Sequence, residues 1–311
     1  MHPEELRKAL NGIVAISVTP MTEKEALDER GLREHLRFLL SRGISKANST
    51  IVVGGSTGEC GQMSIAERKR LIEVAVDELG GKLPVIAGCN HSNIYDVIDL
   101  VKHAESVGAA GVMIVPLYYY TPTGEAIVQF YRTISENTEL GIMLYNNVEV
   151  TGVDIPIWVL ESLVEDSKVV GIKECTPIFT KMERDVRLVG DKITVVNGHG
   201  EFLEPFAALA GTGGFISSIA NFAPQLTVEM WNARSSGDYK KAKAIRDRLT
   251  PYMDLASEAS ASGGEPKVLA LLKRATDLVG SHGGPGRLPI CPLTNEEEKS
   301  LCNALEAMRL I

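Results

Sequence analysis

The chain has 311 residues, 44% of them hydrophobic and 23% charged, with a net charge of -8 and a pI near 5.4. That acidic balance, with no cluster of Lys and Arg, argues against nucleic acid or an anionic membrane surface as partner and makes a small molecule the expected ligand. Five scattered cysteines, never spaced C-x-x-C, suggest neither a disulfide framework nor a zinc site, and point to a reducing cytoplasm.

The opening "MHPEELRKALNG" is charged and amphipathic, and no apolar run approaches the roughly 18 residues of a membrane span, so an unexported protein is expected. Short apolar runs then follow in order: "GIVAISVTP" (12–20), "STIVVGG" (49–55), "PVIAGCN" (84–90) and "GVMIVP" (111–116). They continue as "GIMLYN" (141–146), "VVGIKE" (169–174), "ITVVNG" (193–198) and "GFISSIAN" (214–221). Between them, segments such as "ERGLREHLRFLLSRG" and "SNIYDVIDLVKHAESVG" carry apolar residues at three- and four-residue spacing. Ser64 with Glu67 is a capping pair, and Gly43 and Gly108 are stop signals.

Strand then helix, repeated eight times, predicts an α/β fold of the (β/α)8 TIM-barrel type over residues 1–224. An open doubly wound sheet is the alternative, but eight near-continuous apolar strands at regular spacing favour closure. After 224 the strand signal stops, and residues 225–311 read as a helical C-terminal subdomain with "GSHGGPGRLPICPLT" as a loop between its last two helices.

Catalytic groups of such a barrel stand at the C-terminal strand ends. The runs deliver Thr19, the loop "GGSTGE" (54–59), Tyr145 and Asn146, Lys173, Asn197 to His199, and Ser217 with Ser218. The loop, read as opening the second helix, can hold a carboxylate or phosphate on free amides, or can simply cap. Tyr145 is an acid–base candidate or a packed aromatic. Lys173 either reaches solvent or pairs with Glu174, or is a desolvated, neutral amine able to form a Schiff base with a ketone. Tyr118, Tyr119 and Tyr120 form either part of a site or an oligomer contact. No Gly-x-Gly-x-x-Gly follows a strand and no His-x-x-His appears, so the expected enzyme needs neither cofactor nor metal.

Taken together, "GSTGE" (55–59), the tyrosines before Pro122, "YNNVEVTGVDI" (145–155), "GIKE" (171–174), "NGHGE" (197–201) and "SSIAN" (217–221) resemble the dihydrodipicolinate synthase and N-acetylneuraminate lyase superfamily. The resemblance covers nearly the whole chain, and it implies a class I aldolase mechanism on a barrel, commonly in a homotetramer. Lys173 matches the lysine that forms an imine with pyruvate or another 2-oxo acid, and Tyr145 the proton shuttle. Ser56 matches the hydroxyl linking that shuttle to a tyrosine donated by a neighbouring subunit, for which Tyr119 is the best match. Thr57, with the Ser56 and Thr57 amides, matches the carboxylate site, and the Ile216 carbonyl an acceptor near the reacting centre.

Departures from the family pattern bear on the substrate. Val148 stands in place of a proline, and Val150 in place of an arginine that clamps the aldehyde's carboxylate in dihydrodipicolinate synthases; an aliphatic group cannot do that. Glu201 and Ser218 match the lyase positions that bind a hydroxylated tail, although Gly200 replaces a second acid. The expectation is a Schiff-base lyase, aldolase or dehydratase, acting on pyruvate or 2-keto-3-deoxy sugar-acid substrates. The alternatives are a dihydrodipicolinate synthase with altered aldehyde binding and a non-catalytic barrel that senses a 2-oxo acid. His199 reads as a loop histidine bonded to backbone or as a second acid or base, and Cys175 as a residue on the lysine's strand face.

Overall fold

The structure, a computed structural model, describes residues 1–311. Eight strands, β1 (Ile13–Ile16), β2 (Ser49–Val53), β3 (Val85–Gly88), β4 (Gly111–Ile114), β5 (Gly141–Asn146), β6 (Val169–Glu174), β7 (Thr194–Asn197) and β8 (Gly214–Ser217), are buried along their whole length. They pair in parallel and in sequence order, and β8 returns to β1 with Val14 opposite Ile216, closing the barrel. Burial on both faces explains why the strands read as unbroken apolar runs. The strands are shorter than several of those runs: Val18 to Pro20 lie beyond β1, and Ile219–Asn221 form a 3-10 turn beyond β8. These extra residues build the mouth instead of the sheet.

Outside the strands lie α1 (Pro3–Ala9), α2 (Glu29–Ser41), α3 (Ile65–Leu79), α4 (Ile94–Ser106), α5 (Gly124–Ser135), the short α6 (Val148–Thr151), α7 (Ile157–Leu163) and α8 (Phe179–Val189). The short α9 (Phe206–Leu209), α10 (Pro224–Ser235), α11 (Tyr239–Leu278) and α12 (Asn295–Ala307) follow. Ser64 and Glu67 form the expected capping box on α3, and Gly43 and Gly108 take positive φ values of 101° and 88° after α2 and α4. No helix is long and apolar enough to cross a membrane.

One face of each strand packs on the helices in a large core, while the other fills the barrel. Leu6 and Leu10, on and just after α1, enter the lower end of that interior beside Val14, Met143 and Val196. Gly171 makes room for this plug, since a Cβ there would lie 2.6 Å from Leu10 Cδ1. Sealing the bottom with two leucines, each contributing about 2 kcal/mol of burial, leaves the C-terminal strand ends as the open face.

Residues after β8 do two jobs. Helix α10 packs against β1 and the turn after β8, placing Leu226, Met230 and Ala233 in the core as the eighth barrel helix. The boundary expected at 224 therefore falls at the first residue of a barrel element, and α11 and α12 are what extend the fold. Helix α11 breaks at Gly264 (φ 67°, ψ -164°), and its two legs bring Tyr252, Ala256, Val268 and Leu272 across the open face.

Candidate active site

The period-two alternation of β5 and β6 turns Tyr145 and Lys173 inward, and their backbones are register partners. Both are buried, and the Lys173 amine lies 3.9 Å from the centre of the Tyr145 ring. Glu174, one residue on, faces the opposite way: it accepts from Asn146 Nδ2, the Thr176 amide and Lys181 Nζ, with Lys181 also reaching Asp185. The Lys173–Glu174 pair that would have given the lysine a merely structural role does not form.

Burial is the largest influence on Lys173 and disfavours its charge, yet Tyr145, Cys175 and Glu265 together hold its pKa above the ordinary lysine value. The neutral amine expected from desolvation alone is thereby corrected, because the site supplies compensating polar groups. Burial pushes the Cys175 thiol up to about 12, so it stands as an uncharged group whose Sγ lies 3.7 Å from the Gly198 carbonyl.

Tyr145 Oη lies 3.4 Å from Ser56 Oγ, longer than a tight hydroxyl hydrogen bond, and accepts from Asn147 Nδ2 at 2.9 Å. Ser56 and Thr57 sit in a turn between β2 and a 3-10 segment at Cys60–Gln62, while α3 begins only at Ile65. The loop is not a helix N-terminus as expected, but its Ser56 and Thr57 amides have no acceptor within the chain, and Thr57 lines the cavity that holds Lys173. Thr19 Oγ1 donates to the Gly58 carbonyl at 2.7 Å, fixing the loop from β1. Glu59, wholly buried with φ 59°, accepts from Lys273 Nζ on the second leg of α11 and from the Arg287 amide.

A cavity of about 190 Å³ is enclosed by Thr57, Tyr145, Lys173, Cys175, Ile216 and Ser218, among others. Ser218 lines it with a hydroxyl free of any partner in the chain. Glu201 also lines it but is 1% exposed, its Oε1 accepting from Ser217 Oγ at 2.6 Å and Thr227 Oγ1 at 2.7 Å. That carboxyl is committed to the wall, which corrects its expected place as a free acid for a substrate tail; burial raises its pKa to about 7. Gly200 takes φ 59°, and a Cβ there would lie 2.5 Å from the Ile216 carbonyl, so a second acid at 200 has no room. His199 Nε2 donates to the Thr176 carbonyl at 2.7 Å, the backbone-bonded loop histidine.

Val150 lies outside this cavity, 48% exposed in an adjoining recess of about 460 Å³ with Ser56, Tyr118, Glu149, Thr151 and Glu265. Tyr119 is 85% exposed, holds a left-handed φ of 82° and stacks edge-on against Tyr120 at 5.1 Å; within one chain it does not join Ser56 or Tyr145. No group of three or more His, Cys, Asp or Glu side chains is arranged to hold a metal ion. Asn147, Glu149 and Glu265 escape the sequence reading. Asn147 and Glu149 lie in the run "YNNVEVTGVDI", but only the loop geometry after β5 turns them to the site; Glu265 carries no local signal at all.

A lysine and a tyrosine paired at the strand ends of a β/α barrel are the equipment of a lyase of the class I aldolase type. The chain belongs to the dihydrodipicolinate synthetase family, whose model matches residues 9–308. It is 33% identical over 298 residues to a 4-hydroxy-tetrahydrodipicolinate synthase of Methanothrix thermoacetophila, covering 96% of each chain. It is 35% identical over 302 residues to the enzyme of that name from Methanocaldococcus jannaschii, covering 96% of this chain and 99% of the other. Among solved structures, a prophage protein of the dihydrodipicolinic acid synthase family from E. coli K12, in complex with pyruvate, superposes with a TM-score of 0.88 at 25% identity over 96% of this chain and 99% of that one.

Proposed function

We propose that the protein is a Schiff-base-forming lyase that joins pyruvate to an aldehyde, or releases or dehydrates the corresponding 2-keto-3-deoxy sugar acid, through Lys173. The observation that carries this reading is the Lys173 amine on the face of Tyr145, which in turn meets Ser56. The amine, once deprotonated, attacks the keto carbon; the carbonyl oxygen leaves as water and a protonated imine remains. Loss of a methyl proton to the Tyr145 oxygen gives an enamine, whose carbon attacks the aldehyde carbon as the aldehyde oxygen takes a proton. Water then hydrolyses the imine and returns the amine. Cleavage is the same sequence reversed, and dehydration expels a hydroxide with a proton from the same iminium. The imine is itself the electron sink, so the reading includes no cofactor.

The unpaired Ser56 and Thr57 amides suit the 2-oxo acid's carboxylate, and Thr57 and Ile216 both line the cavity that holds Lys173. The solved relative with pyruvate bound supports the choice of 2-oxo acid. Tyr119, strained and exposed, is suited to donation into a neighbouring subunit's Ser56–Tyr145 pair in a homotetramer. All five cysteines are free, in keeping with a reducing cytoplasm.

Incubation with pyruvate and borohydride tests the proposal. The expected result is a mass increase located on Lys173; no adduct with pyruvate or any of a panel of 2-oxo acids overturns it and leaves the non-catalytic 2-oxo-acid sensor as the alternative. A second reading, 4-hydroxy-tetrahydrodipicolinate synthase with altered aldehyde binding, is favoured by the names of the curated relatives. It requires another group to replace the cation absent at Val150.

A further inference from the structure

The second substrate meets a mouth of one charge. Glu149, in α6, and Glu265, just past the break in α11, come from different elements of the chain and line both the lysine cavity and the adjoining recess. Neither carboxylate is engaged by a lysine, arginine or backbone amide of the chain. Lys173 and His199 are the only basic side chains lining the cavity, and none lines the recess. The Lys173 amine, 5% exposed and free of any carboxylate or carbonyl partner, occupies the same space and is held partly by the Glu265 charge.

An anionic acceptor arriving through this mouth would have to pass two unneutralised carboxylates, and its own charge would find no cation once Lys173 is consumed as an imine. A hydroxylated acceptor, in contrast, brings donors that free carboxylate oxygens accept well. Resting on the Schiff-base reading above, we infer that the aldehyde partner is an uncharged, hydroxyl-bearing one, selected by Glu149 and Glu265, and that aldehydes ending in a carboxylate are rejected by the same pair. The recess offers further polar edges to such a chain in Ser56, Asn90 and Thr151.

The test compares two four-carbon aldehydes, erythrose and succinic semialdehyde, by pyruvate consumption with the full chain, in parallel with borohydride trapping of pyruvate alone. Wild type should favour erythrose in kcat/KM by about tenfold or more, and Glu149→Gln with Glu265→Gln should shrink that ratio by about tenfold, the scale of removing like-charge repulsion. The ratio cancels any change in imine formation between variants. Equal use of both aldehydes, use of neither despite imine formation, or a ratio unmoved in the double variant overturns the inference while leaving the Schiff-base reading intact. Absence of the Lys173 adduct removes both.

Discussion

The Asn147 side chain donates to the Tyr145 phenol oxygen at 2.9 Å, while its own carbonyl receives the Val150 amide and caps α6. The donated bond occupies a lone pair of the phenol, directs the phenol's own proton elsewhere and stabilises negative charge on that oxygen. Replacing Asn147 by Ala should slow turnover about tenfold, the worth of one hydrogen bond to a charged group. Undiminished turnover with a loss only in thermal stability would reduce Asn147 to a cap.

Tyr145→Phe keeps the ring beside Lys173 but removes the oxygen assigned proton transfer in the proposed mechanism. Trapping of pyruvate should persist at a lower rate, whereas turnover should fall by roughly 10²- to 10⁴-fold. Undiminished turnover in this variant would take Tyr145 out of the mechanism.

Because Lys173 is held above its ordinary pKa, the free amine is scarce at neutral pH and imine trapping should accelerate as pH rises. Glu265 favours the charged form, so Glu265→Gln lowers the lysine pKa and should shift the trapping profile toward lower pH. A shift upward, or none, would show that Glu265 does not act on the amine.

Glu201 gives a stability prediction of definite sign. Its pKa rises from 4.5 to about 7 on folding, chiefly by burial, so its contribution is fully present below pH 4.5 and is lost as pH climbs through 7. Glu201→Gln retains an oxygen for Ser217 and Thr227 without the buried charge. Its Tm should match wild type at pH 4 and exceed it at pH 8, with a gain of at most ~3 kcal/mol at ~1.4 kcal/mol per unit. A variant less stable at pH 8 would count against a buried charge there.

The Lys273–Glu59 pair is 2% and 0% exposed in its side chains. Lys273→Met strands a buried carboxylate and should cost about 3–5 kcal/mol. In the surviving folded fraction, KM for the 2-oxo acid should rise more than kcat falls, since the loop that presents the Ser56 and Thr57 amides is loosened. Equal changes in both constants would argue that the pair serves stability alone.

The barrel was legible because strands buried on both faces cannot alternate, leaving eight apolar runs with turn residues at their ends. Lys173 and Tyr145 were legible for the same reason: a strand fixes which way each residue points. Glu201 was not, because the chain leaves β7 through Gly198 and the left-handed Gly200, and periodicity ends where that turn begins. The charge state of Lys173 also escaped, since it depends on burial set against Tyr145, Cys175 and, in smaller part, Glu265, which reaches the mouth only by the break at Gly264. Helix α10 was read as helix but not as part of the barrel, since amphipathic spacing says nothing of which neighbour a helix joins.

The anchoring of Glu59 by Lys273 has a temporal consequence. All eight strands, Lys173, Tyr145 and the Ser56–Thr57 turn precede Lys273 in the chain, so a nascent chain can close its barrel while Glu59, beside that turn, still lacks its counter-ion. The turn then gains its anchor last, with the docking of the second leg of α11.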